Sequence, residues 1–366
     1  MFVRDEITLK KNRVRDLLGS LGLGGIYIKR HGNFAWLTGG GCNYVGIATE
    51  VGVSGALITP EGEYLVCNNI EAPRMIEEEG IEDQGYEVRA FPWHQDRERE
   101  ILSELVAGPL GADVALPGAR NVAADLAALR YSLTPWEVER YRTVGELTST
   151  AIEETAAGVR PGDRETAIVG RLAARLWDLG LDYITIFCAA DDRIGRFRHP
   201  LATARQVDKR AMLCVNARQK GLIVSLTRFV QFGKVPEDIR RRYDANVRVD
   251  CVLMANTVPG RPAADAFRKG MEAYKEAGFE GEYELHHQGG AIGYEGRDYK
   301  VTFDSQQIVQ ENQGFTWNPS ITGAKSEDTM LATKDGPVLL SHPVTFPVLE
   351  QEVEGHKFER PDILEL

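Results

Sequence analysis

Residues 134–137 read Thr-Pro-Trp-Glu, and no other stretch divides the chain more sharply. A threonine followed three residues later by glutamate is a capping box, and a proline just inside it suits the first helical position. A helix therefore starts here, runs through EVERYRTVGELTSTAIEETAAG and stops at Gly158. Before it, short strand-like runs (25–30, 34–39, 55–60, 63–69, 86–93) alternate with helical patterns (8–19, 71–79, 97–106 and 121–131). Asn121 is placed to cap the last of these helices. That alternation predicts a small α/β domain over 1–133, followed by a second domain over 134–366. A chain of 366 residues suits two domains.

In the second part, the Arg160-Pro161-Gly162-Asp163 turn opens another helix, with Ile168, Leu172 and Leu176 on one face. Strands are expected at 182–189, 211–217 and 221–232, then helices at about 236–246 and 262–278. Further strands are expected near 282–287, 300–303, 315–318 and 327–333. Two helices followed by strands thus occur twice, which hints at an internal duplication.

Composition excludes several classes of function. The net charge is −11, and the longest basic cluster is Arg240-Arg241-Arg242. Nucleic acid is therefore not an expected partner, since phosphate binding needs Lys/Arg stripes. No window is apolar for about 18 residues, so no membrane span is expected. The opening MFVRDEITLKKNRVRDLL lacks the apolar core of a signal peptide, which points to the cytoplasm. Five scattered cysteines without CxxC spacing read as reduced core thiols.

Four stretches carry a resemblance: TPWEVERYR…GVRPGDRE, RFRHPLATARQVD (196–208), GLIVSLTRFVQFG (221–233), and GGAIGYEGRD (289–298) with FTWNPSITGAKSEDTMLAT (315–333). In this order and spacing they resemble the creatinase, prolidase and aminopeptidase P family, and the first 130 residues look like its N-terminal domain. The resemblance implies a creatinase/prolidase-like α/β N-domain followed by a C-terminal α+β "pita-bread" domain. It also implies a two-metal peptidase centre, and there the carry-over fails. The family's first Asp falls on Asn216 or, without a gap, on Cys214. The second falls on Ser225, the ligand His on Gly290 and the first Glu on Asn318. Only the last Glu persists, as Glu327. A hard divalent pair needs several carboxylates, so no metal or other cofactor is expected. Without metal, a water pKa near 15.7 rather than about 7 adds roughly 12 kcal/mol to making hydroxide. A positioned base returns only about 10²–10⁴ in rate.

The remaining candidates follow from the resemblance. In creatinase, which works without metal, the His matching His199 is the acid/base group, so His199 is expected to move a proton, with Glu327 binding substrate or orienting it. Asn216, Ser225 and Asn318 would line the cavity as neutral groups. Arg297 and Arg228 suit a substrate carboxylate, which guanidinium grips bidentately. In HGNFAWLTGGGCNYVG (31–46), Asn33, Trp36, Asn43 and Tyr44 would reach the partner's site in a homodimer, as the corresponding creatinase loop does. Cys214 reads as an inert core residue. His286-His287 reads as an unlikely metal pair, because neighbours on a strand point to opposite faces. The leading reading is a metal-independent, creatinase-like hydrolase or lyase for a small, carboxylate-bearing nitrogen compound. The alternatives are an inactive binding relative, as in the large subunit of the histone chaperone FACT, or an atypical Xaa-Pro metallopeptidase.

Overall fold

The computed structural model describes residues 3–366, which form two compact units. The first runs to Tyr131 and takes in the hairpin tip Lys220–Leu222; the second is Ser132–Gln219 with Ile223–Leu366.

In the first unit the order is α1 (Arg4–Leu21), β1 (Gly25–Arg30), α2 (His31–Leu37), β2 (Val51–Ile58), β3 (Glu63–Asn68), α3 (Ala72–Glu77), β4 (Glu87–Phe91), α4 (Glu98–Leu105), β5 (Leu110–Ala112), β6 (Arg120–Asn121) and α5 (Ala123–Leu129). The strands form one mixed sheet, ordered β4-β3-β2-β1-β5-β6. Asn121 Oδ1 accepts the Ala123 amide at the start of α5, at 3.0 Å.

Residues 34–39, expected as a strand, belong instead to helix α2 and its exit. The Asp113 carboxylate ends β1 by accepting the Lys29 and Arg30 amides at 2.8 and 3.1 Å, and Asn33 Nδ2 at 3.0 Å. The helix is buried on every side, so its apolar residues carry no period by which to separate helix from strand. This corrects the reading of Asn33, Trp36 and Asn43 as side chains that reach a substrate. Asn33 also accepts from Arg130 Nε at 2.9 Å, Trp36 is wholly buried, and Asn43 Nδ2 donates to the Lys29 and Ser54 carbonyls. Tyr44 stacks 4.6 Å from His31. Asn33, Trp36 and Asn43 thus belong to the core of their own unit, and Tyr44 is half-buried at its edge.

The second unit begins with α6 (Pro135–Ala157), whose capping box is complete: Thr134 Oγ1 accepts the Glu137 amide and Glu137 Oε2 accepts the Thr134 amide. It is followed by α7 (Glu165–Asp178), β7 (Asp182–Ala190), α8 (Arg193–Arg196), β8 (Arg210–Gln219), β9 (Leu222–Gln231), α9 (Glu237–Ala255) and α10 (Ala263–Glu276). Next come β10 (Gly289–Ala291), β11 (Tyr299–Lys300), β12 (Gln313–Trp317), β13 (Ser320–Ile321), β14 (Ala324–Lys325), β15 (Asp328–Thr333), β16 (Gly336–Leu339), β17 (Val348–Val353), β18 (His356–Pro361) and β19 (Leu364–Glu365). Two sheets dominate, ordered β19-β9-β8-β7 and β11-β10-β12-β15-β16. Each receives strands that follow a pair of long helices, the repeat visible in the sequence.

Helix α9 outruns its expected end near 246 because its buried face is polar. Asn246 and Asp250 interrupt the apolar period but find buried partners, Asn246 Nδ2 in the Pro319 carbonyl and Asp250 Oδ2 in Arg360 and Ser326. Residues 282–285, expected as a strand, make a 3₁₀ turn after Gly281, whose φ of 90° is left-handed.

Strand alternation sorts the residues behind and before the site. Arg228 and Asp328 pair at 3.1 Å, while their neighbours Thr227 and Glu327 pair with each other on the opposite face. Arg228, expected to grip substrate, is thus wholly buried behind the site, bound to Glu153 Oε1 at 2.8 Å as well as to Asp328. Arg360 completes this network through Asp328 at 3.0 Å and Asp250 at 2.7 Å.

The other oxygen of Glu153 accepts the amides of Val344, Thr345 and Phe346. Burial alone would raise its pKa, but Arg228 and these amides hold it below the usual carboxylate value. A carboxylate depressed in the fold adds stability that is present above its unfolded pKa and lost as pH falls through the folded one. Stability is therefore expected to decline as pH drops below 4.5. Denaturant titrations across that range should show a shallower decline for Glu153→Gln; equal slopes would contradict the assignment.

Candidate functional site

The hairpin of β8 and β9 sets Cys214 opposite Thr227, with the Thr227 hydroxyl oxygen 3.1 Å from the thiol sulfur. The same hydroxyl donates to Glu327 Oε2 at 2.7 Å. Lys325, two residues before Glu327, places its ammonium 2.7 Å from that oxygen and 3.9 Å from Cys214 Sγ. Arg297 approaches the other oxygen at 3.6 Å, and its Nε is buried without a hydrogen-bond partner. Two cations thus face one carboxylate.

The charges follow from these neighbours. Burial would raise the pKa of Glu327, but Lys325 and Arg297 outweigh it and hold the carboxyl below its ordinary value. Burial would lower that of Lys325, but the Glu327 carboxylate at 2.7 Å keeps the ammonium above its ordinary value. Burial pushes the Cys214 thiol up, as befits an inert core residue. The cluster therefore carries one surplus positive charge.

The neutral candidates lie around it. Asn216 is two residues from Cys214 on the same strand face, and its amide nitrogen approaches Gly296, next to Arg297. Ser225 and Asn318 are buried, and Ser225 Oγ and Asn318 Oδ1 lack partners among the described residues.

His199 follows α8, and its Nε2 lies 3.1 Å from Nε2 of His286. Its ring centroid is 5.7 Å from Phe187 and 5.8 Å from His287, and one edge of the residue is open to solvent. Burial, then Lys325, lowers its pKa. Burial, Lys325 and His287 push His286 down to about 2; burial and Arg297 push His287 down to about 4. All three imidazoles are thereby shifted toward the neutral form. Glu327 does not orient His199, since its oxygens are taken by Thr227, Lys325 and Arg297.

The two adjacent histidines correct the strand-based reading. They leave a 3₁₀ turn rather than a ladder, and their rings lie 4.5 Å apart at 32° instead of on opposite faces. The sequence reading also missed Thr227 and Lys325. Each lies within two residues of a candidate, at the strand spacing that returns side chains to one face.

A dinuclear metal centre does not fit these residues. The corresponding positions offer a buried thiol or an amide, a hydroxyl, no side chain, another amide, and a carboxylate already paired with an ammonium. Position 290 cannot regain its ligand without rebuilding the sheet. A Cβ on Gly290, whose φ is 153°, would stand 2.1 Å from the Tyr299 carbonyl oxygen.

Relatives place the chain in a family. Residues 139–334 match metallopeptidase family M24. An uncharacterized peptidase of Staphylococcus aureus (strain MW2) is 19% identical over 256 residues, 67% of this chain and 70% of its own. Dipeptidase PepE from Mycobacterium ulcerans superposes with a TM-score of 0.78 at 16% identity, over all of both chains. The N-terminal domain of FACT complex subunit SPT16 from chickpea (Cicer arietinum) gives 0.69 at 13% identity, over 94% of this chain and 98% of its own. The chain belongs to metallopeptidase family M24, and with it to a class of hydrolases sharing the prolidase-like fold. No described helix is long and apolar enough to cross a membrane.

Proposed function

We propose that this protein is a metal-independent hydrolase of the creatinase type, acting on a small nitrogen compound that bears a carboxylate. The observation that carries this reading is the excess of cations: Lys325 and Arg297 both pair with Glu327, and among the described residues Arg297 Nε has no acceptor. A substrate carboxylate supplies both the missing charge and the missing acceptor. Asn216, Ser225 and Asn318 offer neutral hydrogen bonds to its nitrogen end.

His199 is the proton carrier in this scheme. No hydrogen bond among the described residues engages its Nδ1, which is left for water or substrate. The imidazole takes a proton from water as the water oxygen bonds to carbon, then gives that proton to the nitrogen as the C–N bond breaks. His286, held neutral, fixes the ring from its other side.

The test is a panel of amidino acids, imino acids and amides, screened for turnover with chelated enzyme. On the substrate found, His199→Ala should lose about 10²–10⁴ in rate, and Arg297→Met should raise KM more than it lowers kcat. Turnover unchanged in His199→Ala, or abolished by chelation, would remove the reading. The likeness to the SPT16 domain supports a second one, a binding module without turnover. A pulled-down protein partner, together with an inactive panel, would favour it.

A further inference from the structure

We propose that His199, His286 and His287 form a binding site for a single transition-metal ion of the zinc class, separate from the family's five ligand positions. One nitrogen from each of the three rings lies within 4.8 Å of the others. Zinc–nitrogen bonds of about 2.0–2.1 Å put two tetrahedral ligands about 3.3 Å apart. The Nε2 atoms of His199 and His286 are already separated by 3.1 Å. Closing the third ring onto the same point takes a side-chain adjustment and no change of fold.

The segments that carry the rings are held together. Arg198, beside His199, donates to Glu282 at 2.8 Å, and Glu282 belongs to the turn that leads into His286. Both side chains also bond Thr322, at 3.0 and 2.9 Å. Two ring nitrogens, Nδ1 of His286 and of His287, are buried without partners among the described residues. With His286 ligating through Nε2, the unpartnered nitrogen that coordination would relieve is Nδ1 of His287. An all-imidazole set suits Zn²⁺, Co²⁺, Ni²⁺ or Cu²⁺, whereas Mg²⁺, Ca²⁺ and Mn²⁺ favour oxygen. The nearby cations Lys325, Arg297 and Lys300 oppose a bare dication, while Glu327 favours it. The ion is therefore expected to take an anion as its outer ligand.

This site concerns binding and does not rest on the reaction proposed above. If His199 carries the proton, an ion on the trio withdraws its lone pair, and added Zn²⁺ inhibits.

The test uses the full chain, freed of metal by chelation and titrated with Co²⁺ and then Zn²⁺. Equilibrium dialysis counts the ions, and the visible d–d absorption of Co²⁺ reports the ligand field. One ion per chain, a nitrogen-rich spectrum and at least about tenfold weaker binding in His287→Ala and His286→Gln are expected. His94→Ala, at an exposed histidine elsewhere, should bind as the parent does. Thermal melts establish that each variant is folded. Binding equal to the parent in both folded trio variants, no binding at all, or two ions per chain that survive both substitutions would overturn the proposal. Turnover plays no part in these readouts, so failure here and failure of the hydrolase reading are told apart.

Discussion

Asp328→Ala is expected to lower folding stability by about 3–5 kcal/mol, the usual cost of breaking a buried ion pair by removing one partner. Asp328 is wholly buried between Arg228 and Arg360, both also without solvent contact. Glu153 and Asp250 remain after the change, so each guanidinium keeps one carboxylate but loses the group that joins them. The Ser341 hydroxyl, which donates to Asp328 at 2.7 Å, loses its acceptor as well. Asp328→Asn keeps the volume and an acceptor for Ser341, and should lose less. Urea unfolding of the three proteins measures the difference; a loss under about 1 kcal/mol for the alanine variant would mean that the network is not a structural centre.

Gly290→Ala should destabilise by about 3 kcal/mol or more, beyond the usual 1–3 kcal/mol of overpacking, because its clash is with backbone. The added Cβ would meet the Tyr299 carbonyl at 2.1 Å and Lys300 Cα at 3.0 Å. Gly290 is paired with both Lys300 and Thr316, so relief requires β11 to leave β10. A φ of 153° adds strain for any L side chain. Gly290→His, which restores the family's ligand by name, should therefore lose stability without gaining a second metal ion. Chemical denaturation with dialysis against Mn²⁺ checks both halves. A stable Gly290→His protein that binds two ions would show that the sheet edge is pliable and the centre merely dormant.

The fold was largely legible in the sequence because its signals are local. Thr134 and Glu137 cap α6 in the predicted way, and Ile168, Leu172 and Leu176 bury one face of α7. The local signal failed where burial is uniform or polar. Helix α2, enclosed on all sides, and the Asn246–Asp250 face of α9 gave no apolar period to read.

The site was legible as a set of substitutions and not as an arrangement. Ser225, Gly290, Asn318 and Glu327 could be placed by order and spacing, while the first position stayed open between Asn216 and Cys214. That Arg228 turns away while Thr227 turns toward Glu327 depends on strand faces fixed by pairing partners about 100 residues distant. So does the junction of His199 with His286, which are 87 residues apart.

By itself, then, the chain's order of residues determined the family, the placing of its long helices and the poverty of its metal donors, since each depends on residue type and spacing alone. Only the tertiary structure decided that an ammonium and a guanidinium share one carboxylate, and that three imidazoles converge beside them. Those are distances between remote segments, set by how two sheets and their helices close on a common core, and no local pattern encodes them.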